Sequence, residues 1–281
     1  MEKETPSRLS TLGHPQRLAI FRLLMRRYPD RVAAGELAEA LELKASTLSA
    51  YLAALMQAGL VTQERAGTSL RYAIDMTEVR RTFDYLLLDC CRGRPELCSP
   101  VSLSSPTGAT PMTDRNYNVL FICTGNSARS IFAESILNKL AGDRFVAHSA
   151  GTKPSSELNP FALEVLTQKG HDISTLRSKN VAEFQRPDAP KFDFVFTVCN
   201  QAANEDCPAW TGQPVSAHWG MPDPVKVEGT AAEKNLAFHQ AYGALRNRIA
   251  AFTALPIASL DRISLQKAVD AIGRSDAAAP A

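Results

Sequence analysis

The chain has 281 residues, a formal charge of +2 and 45% hydrophobic residues, so it is long enough for two domains with cores of their own. That charge is too balanced to argue nucleic-acid binding from composition, and the small excess of Lys and Arg sits within residues 1–98. No apolar run approaches the roughly eighteen residues of a membrane span, and the charged start from Met1 to Glu4 is unlike a secretory leader. The expectation is a soluble, cytoplasmic protein without a membrane partner. The six cysteines fall into two triplets, Cys90, Cys91, Cys98 and Cys123, Cys199, Cys207. In a reducing compartment that grouping suggests soft-ion binding or redox chemistry rather than a disulfide framework. The five histidines are scattered without an i,i+3 or i,i+4 pair, which gives a His-based zinc site little support.

Pro15 opens the first predicted helix, where its missing N–H costs nothing, and Leu18, Phe21, Leu24 and Met25 repeat at helical spacing as far as Tyr28. Residues 36–41 form a second, short helix. Glu42-Leu43-Lys44 separates it from a third, about residues 46–58, which Gly59 closes. Residues 60–65 and 70–74 read as strands, joined by Ala66-Gly67-Thr68-Ser69 as a hairpin. A last helix, about 77–91, carries Val79, Phe83, Leu86 and Leu87 on one face. This order predicts a winged helix-turn-helix domain over residues 1–98, mainly α with a β-hairpin wing. In that architecture the third helix enters the major groove and the wing meets the flanking backbone. Ser46, Thr47, Ser49 and Tyr51 are then candidates for DNA contact, while Leu48, Leu52 and Leu55 face the core. Arg65 and Arg71 flank the hairpin tip, where phosphates would lie. The plainer alternative is a helical protein-interaction module whose wing binds no DNA.

Leu12-Gly13-His14-Pro15-Gln16-Arg17-Leu18, Glu36-Leu37-Ala38, Ser46-Thr47-Leu48-Ser49 and Ala58-Gly59-Leu60-Val61 carry a likeness over almost all of residues 8–92. On these motifs the region resembles the ArsR/SmtB family of metalloregulators. The resemblance implies a homodimer packed through its terminal helices, which leaves its operator DNA when an effector binds. The ligands indicate the effector. Cys90 and Cys91 end the last helix, and Cys98 follows a break at Gly93 and Pro95. Three thiolates without a nearby imidazole or carboxylate pair suit a thiophilic ion that accepts three sulfurs, As(III) or Sb(III). Zinc would want a fourth ligand, and the zinc-sensing relatives use His and Asp on this helix, which here has no His. Residues 36–41, where relatives often carry a Cys-x-Cys site, hold no Cys. The structural alternative makes Cys90 and Cys91 small core residues at a dimer seam.

Residues 99–116 hold Pro100, Pro106 and Pro111 among serines, Thr107 and Gly108, with no periodicity. This reads as a flexible linker reaching roughly 20–25 Å as a coil.

Beyond it, strand signals recur at residues 119–122, 145–147, 192–198 and 215–217. Helical stretches fall between or after them at 128–140, 161–169, 181–184 and 231–252. The alternation predicts an α/β domain over residues 117–255 with a four-stranded parallel sheet, followed by a helical extension and tail over 256–281. Ligands of such sheets sit beyond the C-terminal strand ends, where Cys123 and Cys199 both fall. In the long helix Phe238, Tyr242, Leu245, Ile249 and Phe252 form a buried stripe.

The stretch Cys123-Thr124-Gly125-Asn126-Ser127-Ala128-Arg129-Ser130 lies between an apolar strand and an amphipathic helix. A loop so placed aims backbone N–H groups at an oxyanion held on a helix N-terminus. The same field and the Arg129 cation are expected to lower the Cys123 thiol pKa, and Ser130 is placed to donate to the thiolate. The chemistry suggested is attack by sulfur on a tetrahedral oxyanion, with Thr124, Gly125, Asn126, Ser127, Ala128 and Ser130 around it. Asp223, before Pro224, is a carboxyl on a loop that could protonate a leaving oxygen.

That loop, with Ala133-Glu134, Ser149-Ala150-Gly151, Asp172-Ile173-Ser174, Cys199, Cys207, His218-Trp219-Gly220 and Asp223-Pro224, spreads over residues 118–225. Together these resemble the low-molecular-weight tyrosine phosphatase fold and, within it, the thioredoxin-coupled arsenate reductases. The resemblance implies that Cys123 attacks arsenate, that Arg129 and the loop hold the oxyanion, and that Asp223 helps water leave. It further implies that Cys199 attacks Cys123 and expels arsenite. Cys207 then resolves that disulfide, and thioredoxin or a small thiol reduces Cys199–Cys207, with no tightly bound cofactor. Two positions depart from the pattern. Ala128 stands where many relatives carry a further Cys, and Lys179 stands where potassium-binding members carry an acidic residue. An ammonium could stand in for that ion. The whole chain then reads as an arsenite-responsive repressor fused to the enzyme that makes its effector. The alternative is an aryl-phosphate or phosphotyrosine phosphatase fused to a regulator.

Overall fold

The computed structural model describes residues 4–90, 116–205, 210 and 212–275, the side chains of 87–89 excepted. The chain divides into two compact units, Met1–Pro111 and Met112–Ala281. Apart from residue 116, the stretch expected to act as a linker lies outside the described residues.

The first unit runs α1 (Glu4–Leu12), α2 (Pro15–Arg26), β1 (Val32–Ala33), α3 (Ala34–Ala40), α4 (Ala45–Gln57), β2 (Val61–Ala66), β3 (Ser69–Ile74) and α5 (Met76–Asp84). Local chemistry sets several boundaries. His14 caps α2 by accepting from the Gln16 N–H, and Asp75 caps α5 by accepting from Thr77 and Glu78. Gly59, at φ +74°, lets the chain leave α4 in a conformation a side chain would resist. The three strands pair antiparallel in the order β1-β3-β2, with β2 and β3 forming the wing. Ile20, Leu23, Leu24, Leu37, Leu48, Leu52 and Leu55 fill the core. This is the expected winged helix-turn-helix, with α3 and α4 as its helical pair.

Two features differ from expectation. Helix α1 has no apolar stripe to announce it, and a buried arginine ties it down instead. Arg8 donates to the Ala58 carbonyl at 3.1 Å and to Thr82 at 3.2 Å, and it pairs with Glu78. The helix expected to run to residue 91 changes at its last turns to a wider π-helical stretch, Tyr85–Cys90. Its buried face is Val79 with Thr82, and Phe83 is 49% exposed rather than part of that face.

The second unit contains β4 (Tyr117–Cys123), α6 (Arg129–Ala141), β5 (Phe145–Gly151), α7 (Pro160–Gln168), β6 (Phe194–Thr197), α8 (Asn200–Asn204), β7 (Val215–His218), α9 (Ala231–Thr253) and α10 (Arg262–Arg274). Four parallel strands lie in the order β5-β4-β6-β7, so β4, which leads into Cys123, is central. Apart from the half-buried Asn118, every residue of β4 is buried, as a strand covered on both faces requires. Phe121, Phe196, Trp219 and Phe252 meet in the core, with the Phe196 and Trp219 rings stacked 4.1 Å apart. The helix expected at 181–184 is a 3-10 turn, Val181–Gln185, and α8 and a 3-10 turn at Pro224–Lys226 were not foreseen. Among the described residues no helix is long and apolar enough to cross a membrane.

Candidate active site

Cys123 is the last residue of β4, and α6 begins six residues later at Arg129. The segment after β5 shapes the loop between them. Thr152, Lys153, Ser155 and Asn159 N–H groups donate to the carbonyls of Cys123, Thr124, Gly125 and Ser127 at 2.8 to 3.1 Å. A trans peptide directs its N–H opposite to its C=O. Holding those four carbonyls outward therefore turns the N–H groups of Thr124, Gly125, Asn126 and Ala128 inward, which is how an oxyanion cradle is built. Gly151 makes the approach possible, because a Cβ there would lie 2.6 Å from the Thr124 carbonyl oxygen.

Asn126 is fully buried with φ +44°, an unusual setting for a side chain. Its amide offsets the strain with three hydrogen bonds. Nδ2 donates to Ser130 and to Ser149, each at 2.8 Å, and Oδ1 accepts from the Lys179 N–H at 2.6 Å. Its own N–H points at Cys123 Sγ, 3.1 Å away. Ser130 Oγ lies 2.9 Å from the same sulfur.

The expected fall in the Cys123 pKa is not found. Burial pushes the thiol up and outweighs hydrogen bonding from Ser130; the neighbouring Cys199 adds to the rise, and the Arg129 charge opposes it. The physical reason is that the sulfur is almost wholly buried while the Arg129 guanidinium is engaged elsewhere. Its Nη2 donates to Asp223 Oδ2 at 2.6 Å, and its Nη1 to the Met221 carbonyl at 3.3 Å. Asp223 itself caps the 3-10 turn by accepting from the Val225 N–H.

Cys199 caps α8, its sulfur accepting from the Ala202 N–H at 3.4 Å. The same sulfur is 3.4 Å from Thr124 Oγ1, so a second buried thiol abuts the loop. The structure thus brings Cys123, Arg129, Ser130, Cys199 and Asp223 together. Cys207 lies outside the described residues.

Sequence reasoning missed Arg248. It is buried in α9 and donates to the Trp219 and Gly220 carbonyls at 2.8 and 3.2 Å, which anchors the start of the loop carrying Asp223. The available signal was a charge on the apolar stripe, three residues after Leu245 and four before Phe252. Trp219 is held from the other side, its Nε1 donating to the Val269 carbonyl in α10.

In the first unit Ser46, Ser49, Arg65 and Arg71 are exposed and Thr47 half-buried, at the start of α4 and on the wing. Tyr51 is less available than expected, since its ring packs against His14 with centroids 4.9 Å apart. Of the first cysteine triplet, Cys90 is exposed, and Cys91 and Cys98 lie outside the described residues. Among the described residues no cluster of His, Cys, Asp and Glu could hold a metal ion.

A thiol ending a central parallel strand, an amide-lined loop opening a helix, and an Arg–Asp pair beside it make up a candidate site shaped for a tetrahedral oxyanion. The model of the low molecular weight phosphotyrosine protein phosphatase family matches residues 118–265, over half the chain, and the chain belongs to that family. A helix-turn-helix domain model matches residues 12–64. Among curated proteins, the chain is 37% identical over 134 residues to an arsenate reductase of Halalkalibacterium halodurans, covering 48% of this chain and 93% of that protein. It is 34% identical over 137 residues to the arsenate reductase of Bacillus subtilis, covering 49% and 95%. A crystal structure of arsenate reductase from Archaeoglobus fulgidus is 23% identical and covers 47% of this chain and 98% of that one, with a TM-score of 0.38.

Proposed function

We propose that this chain is an arsenate reductase joined to an arsenite-responsive, DNA-binding repressor. The carrying observation is the Cys199 sulfur, 3.4 Å from Thr124 in the nucleophile's loop. Hydrolysis of a phosphate ester needs one thiol there, whereas reduction needs a second to take the first as its target.

Cys123 as thiolate attacks the arsenic of arsenate, the loop N–H groups and Arg129 hold the oxygens, and Asp223 supplies the proton with which one oxygen leaves as water. The Cys199 thiolate then attacks Cys123 Sγ. The sulfur–arsenic bond breaks with its electron pair staying on arsenic, so As(V) becomes As(III) and a Cys123–Cys199 disulfide forms. Cys207 attacks Cys199, frees Cys123 and leaves Cys199–Cys207. Thioredoxin, or a small thiol in its place, returns that disulfide to two thiols. Overall, arsenate, two electrons and two protons give arsenite and water.

The first unit would bind operator DNA through α4 and the wing as a homodimer. The exposed Leu9 and Phe83 on α1 and α5 support such a seam. Arsenite held by Cys90, Cys91 and Cys98 would release the operator, so the cytoplasmic product of one unit is the signal for the other. The phosphatase reading shares Cys123, Arg129 and Asp223. Against it, the half-exposed Val225 follows Asp223-Pro224 where phosphatases of this fold commonly present an aromatic ring.

Purified protein with thioredoxin, thioredoxin reductase and NADPH should oxidise NADPH on addition of arsenate. Cys199→Ser should stop that turnover while sparing slow hydrolysis of an aryl phosphate. Vigorous aryl phosphate hydrolysis without arsenate turnover would sink the reductase reading. In a gel shift, arsenite should release the operator from wild type and not from Cys90→Ser; an unchanged shift with wild type removes the sensor role.

A further inference from the structure

At the far end of α6 from the loop, the second unit holds a cavity of about 620 Å³ that the proposed reaction does not use. Its lining includes Lys139, ten residues after Arg129, so at 1.5 Å per residue it lies about 15 Å along the helix from the candidate active site. Lys169 and Arg246 also line it, and no Asp or Glu does. Lys139 is already committed, its ammonium donating to the Lys169 and Gly170 carbonyls at 2.7 and 2.8 Å. Lys169 and Arg246 are exposed and form no ion pair among the described residues. Two unpaired surface cations mean little by themselves. Here they share the rim of a cavity.

The rest of the lining is apolar or aromatic. Leu140, 48% exposed, lies on one side, and Tyr242 and His239 of α9 on another. The Tyr242 ring is fixed in place. Its hydroxyl is 2.7 Å from His171 Nε2, and its ring meets Phe132 edge-on with centroids 5.6 Å apart. A floor so held costs little further ordering when a ligand settles on it.

Gly243 is an independent sign. It stands in the middle of α9, where a glycine weakens a helix, and such a residue is usually explained by a close neighbour. A Cβ at Gly243 would meet nothing within 4 Å, so no neighbour requires it. The missing side chain instead leaves room in the cavity that Gly243 lines.

We propose that this cavity binds a small organic anion, a flat ring carrying a phosphate group. Lys169 and Arg246 take the phosphate, which the planar guanidinium fork of an arginine suits. The ring lies over Tyr242 and His239 and against Leu140. Pockets for small organic ligands run to about 300–1,000 Å³, so the volume fits a ring with its phosphate and is too large for a bare inorganic ion.

The test is isothermal titration of the full chain with AMP and with phenylphosphonate, a large and a small ring. It involves no turnover, so it can fail separately from the reductase reading. Both should bind with Kd below about 1 mM, and inorganic phosphate at least tenfold more weakly than either. Gly243→Leu fills the cavity and leaves every charge in place, whereas Arg246→Glu reverses one charge and leaves the space. Each should weaken both probes at least tenfold. Arg246 is on the surface, so Arg246→Glu decides the matter if Gly243→Leu does not fold. Absence of binding by both probes at millimolar concentration overturns the proposal. So does binding that Arg246→Glu leaves unchanged, which would place the probes elsewhere, for instance in the loop after Cys123.

Discussion

Arg129 and Asp223 hold each other across the mouth of the loop, guanidinium Nη2 to carboxylate Oδ2 at 2.6 Å. The cation proposed to bind the oxyanion and the carboxyl proposed to protonate the leaving oxygen are thus each other's partners in the free protein. Both side chains are largely shielded, so the contact is stronger than an exposed ion pair. On the proposed reading, an arriving oxyanion would compete for the same guanidinium and release the carboxyl beside it.

Asp223→Asn keeps a polar group beside Arg129 but has no proton to transfer at the leaving oxygen. Turnover of arsenate should fall by about 10²–10⁴ in kcat, with KM much less affected. Steady-state NADPH oxidation in the thioredoxin-coupled assay measures both. A kcat within a few-fold of wild type would remove Asp223 from the acid role.

Stability of the second unit should depend on pH through two imidazoles, the buried His171 and the half-buried His148. His171 is clasped by Ser135 at 2.9 Å and Tyr242 at 2.7 Å; burial pushes its pKa down, and the Lys139 charge adds to this. Burial lowers His148 as well, with Glu134 opposing and Lys179 reinforcing the effect. In the unfolded chain these imidazoles take up protons below about pH 6.5, while the folded protein keeps them neutral to lower pH. The unfolded state therefore binds more protons, and stability present above pH 6.5 is lost as the pH falls from there through the lowered folded values. Urea unfolding at pH 7.5 and 5.5 should show the drop. His171→Gln should make it smaller; an unchanged difference between the two pH values would mean that His171 does not contribute.

On the wing, Arg65 and Arg71 are exposed and adjoin the hairpin turn, which Arg65 Nε also braces by donating to the Gly67 carbonyl. As phosphate contacts, each changed to Ala should weaken operator binding similarly for all sequences and reduce the salt-dependence slope by about one. Ser46→Ala and Ser49→Ala should instead change which sequences are preferred. Titrations at two salt concentrations, on operator and scrambled DNA, separate the two effects.

The candidate site was legible where chemistry is local. Cys123 to Ser130 announces itself because a strand, a glycine-containing loop and a helix start must be contiguous in sequence to make an oxyanion cradle. Asp223 and Cys199 were also within reach, since Pro224 marks a loop and an apolar strand leads to Cys199. Helix α1 was not legible, because a long-range grip by Arg8 rather than an apolar stripe places it. Arg248 escaped for a similar reason, since its partners are backbone carbonyls 28 and 29 residues away.

The sequence by itself determined the two fold classes, most of their elements and Cys123 as the candidate nucleophile, because periodicity, caps and turn residues act over a few positions. Only the tertiary structure decided the electrostatic surroundings of that thiol. The expected low thiol pKa assumed a cation free to face the sulfur and a site open to water. Folding instead buries Cys123, turns Arg129 onto Asp223, brings Cys199 alongside, and runs a line of hydrogen bonds from Lys179 to Ser130. A pKa is the sum of burial, charge and hydrogen bonding from every side, and most of those neighbours meet only when the sheet closes around them.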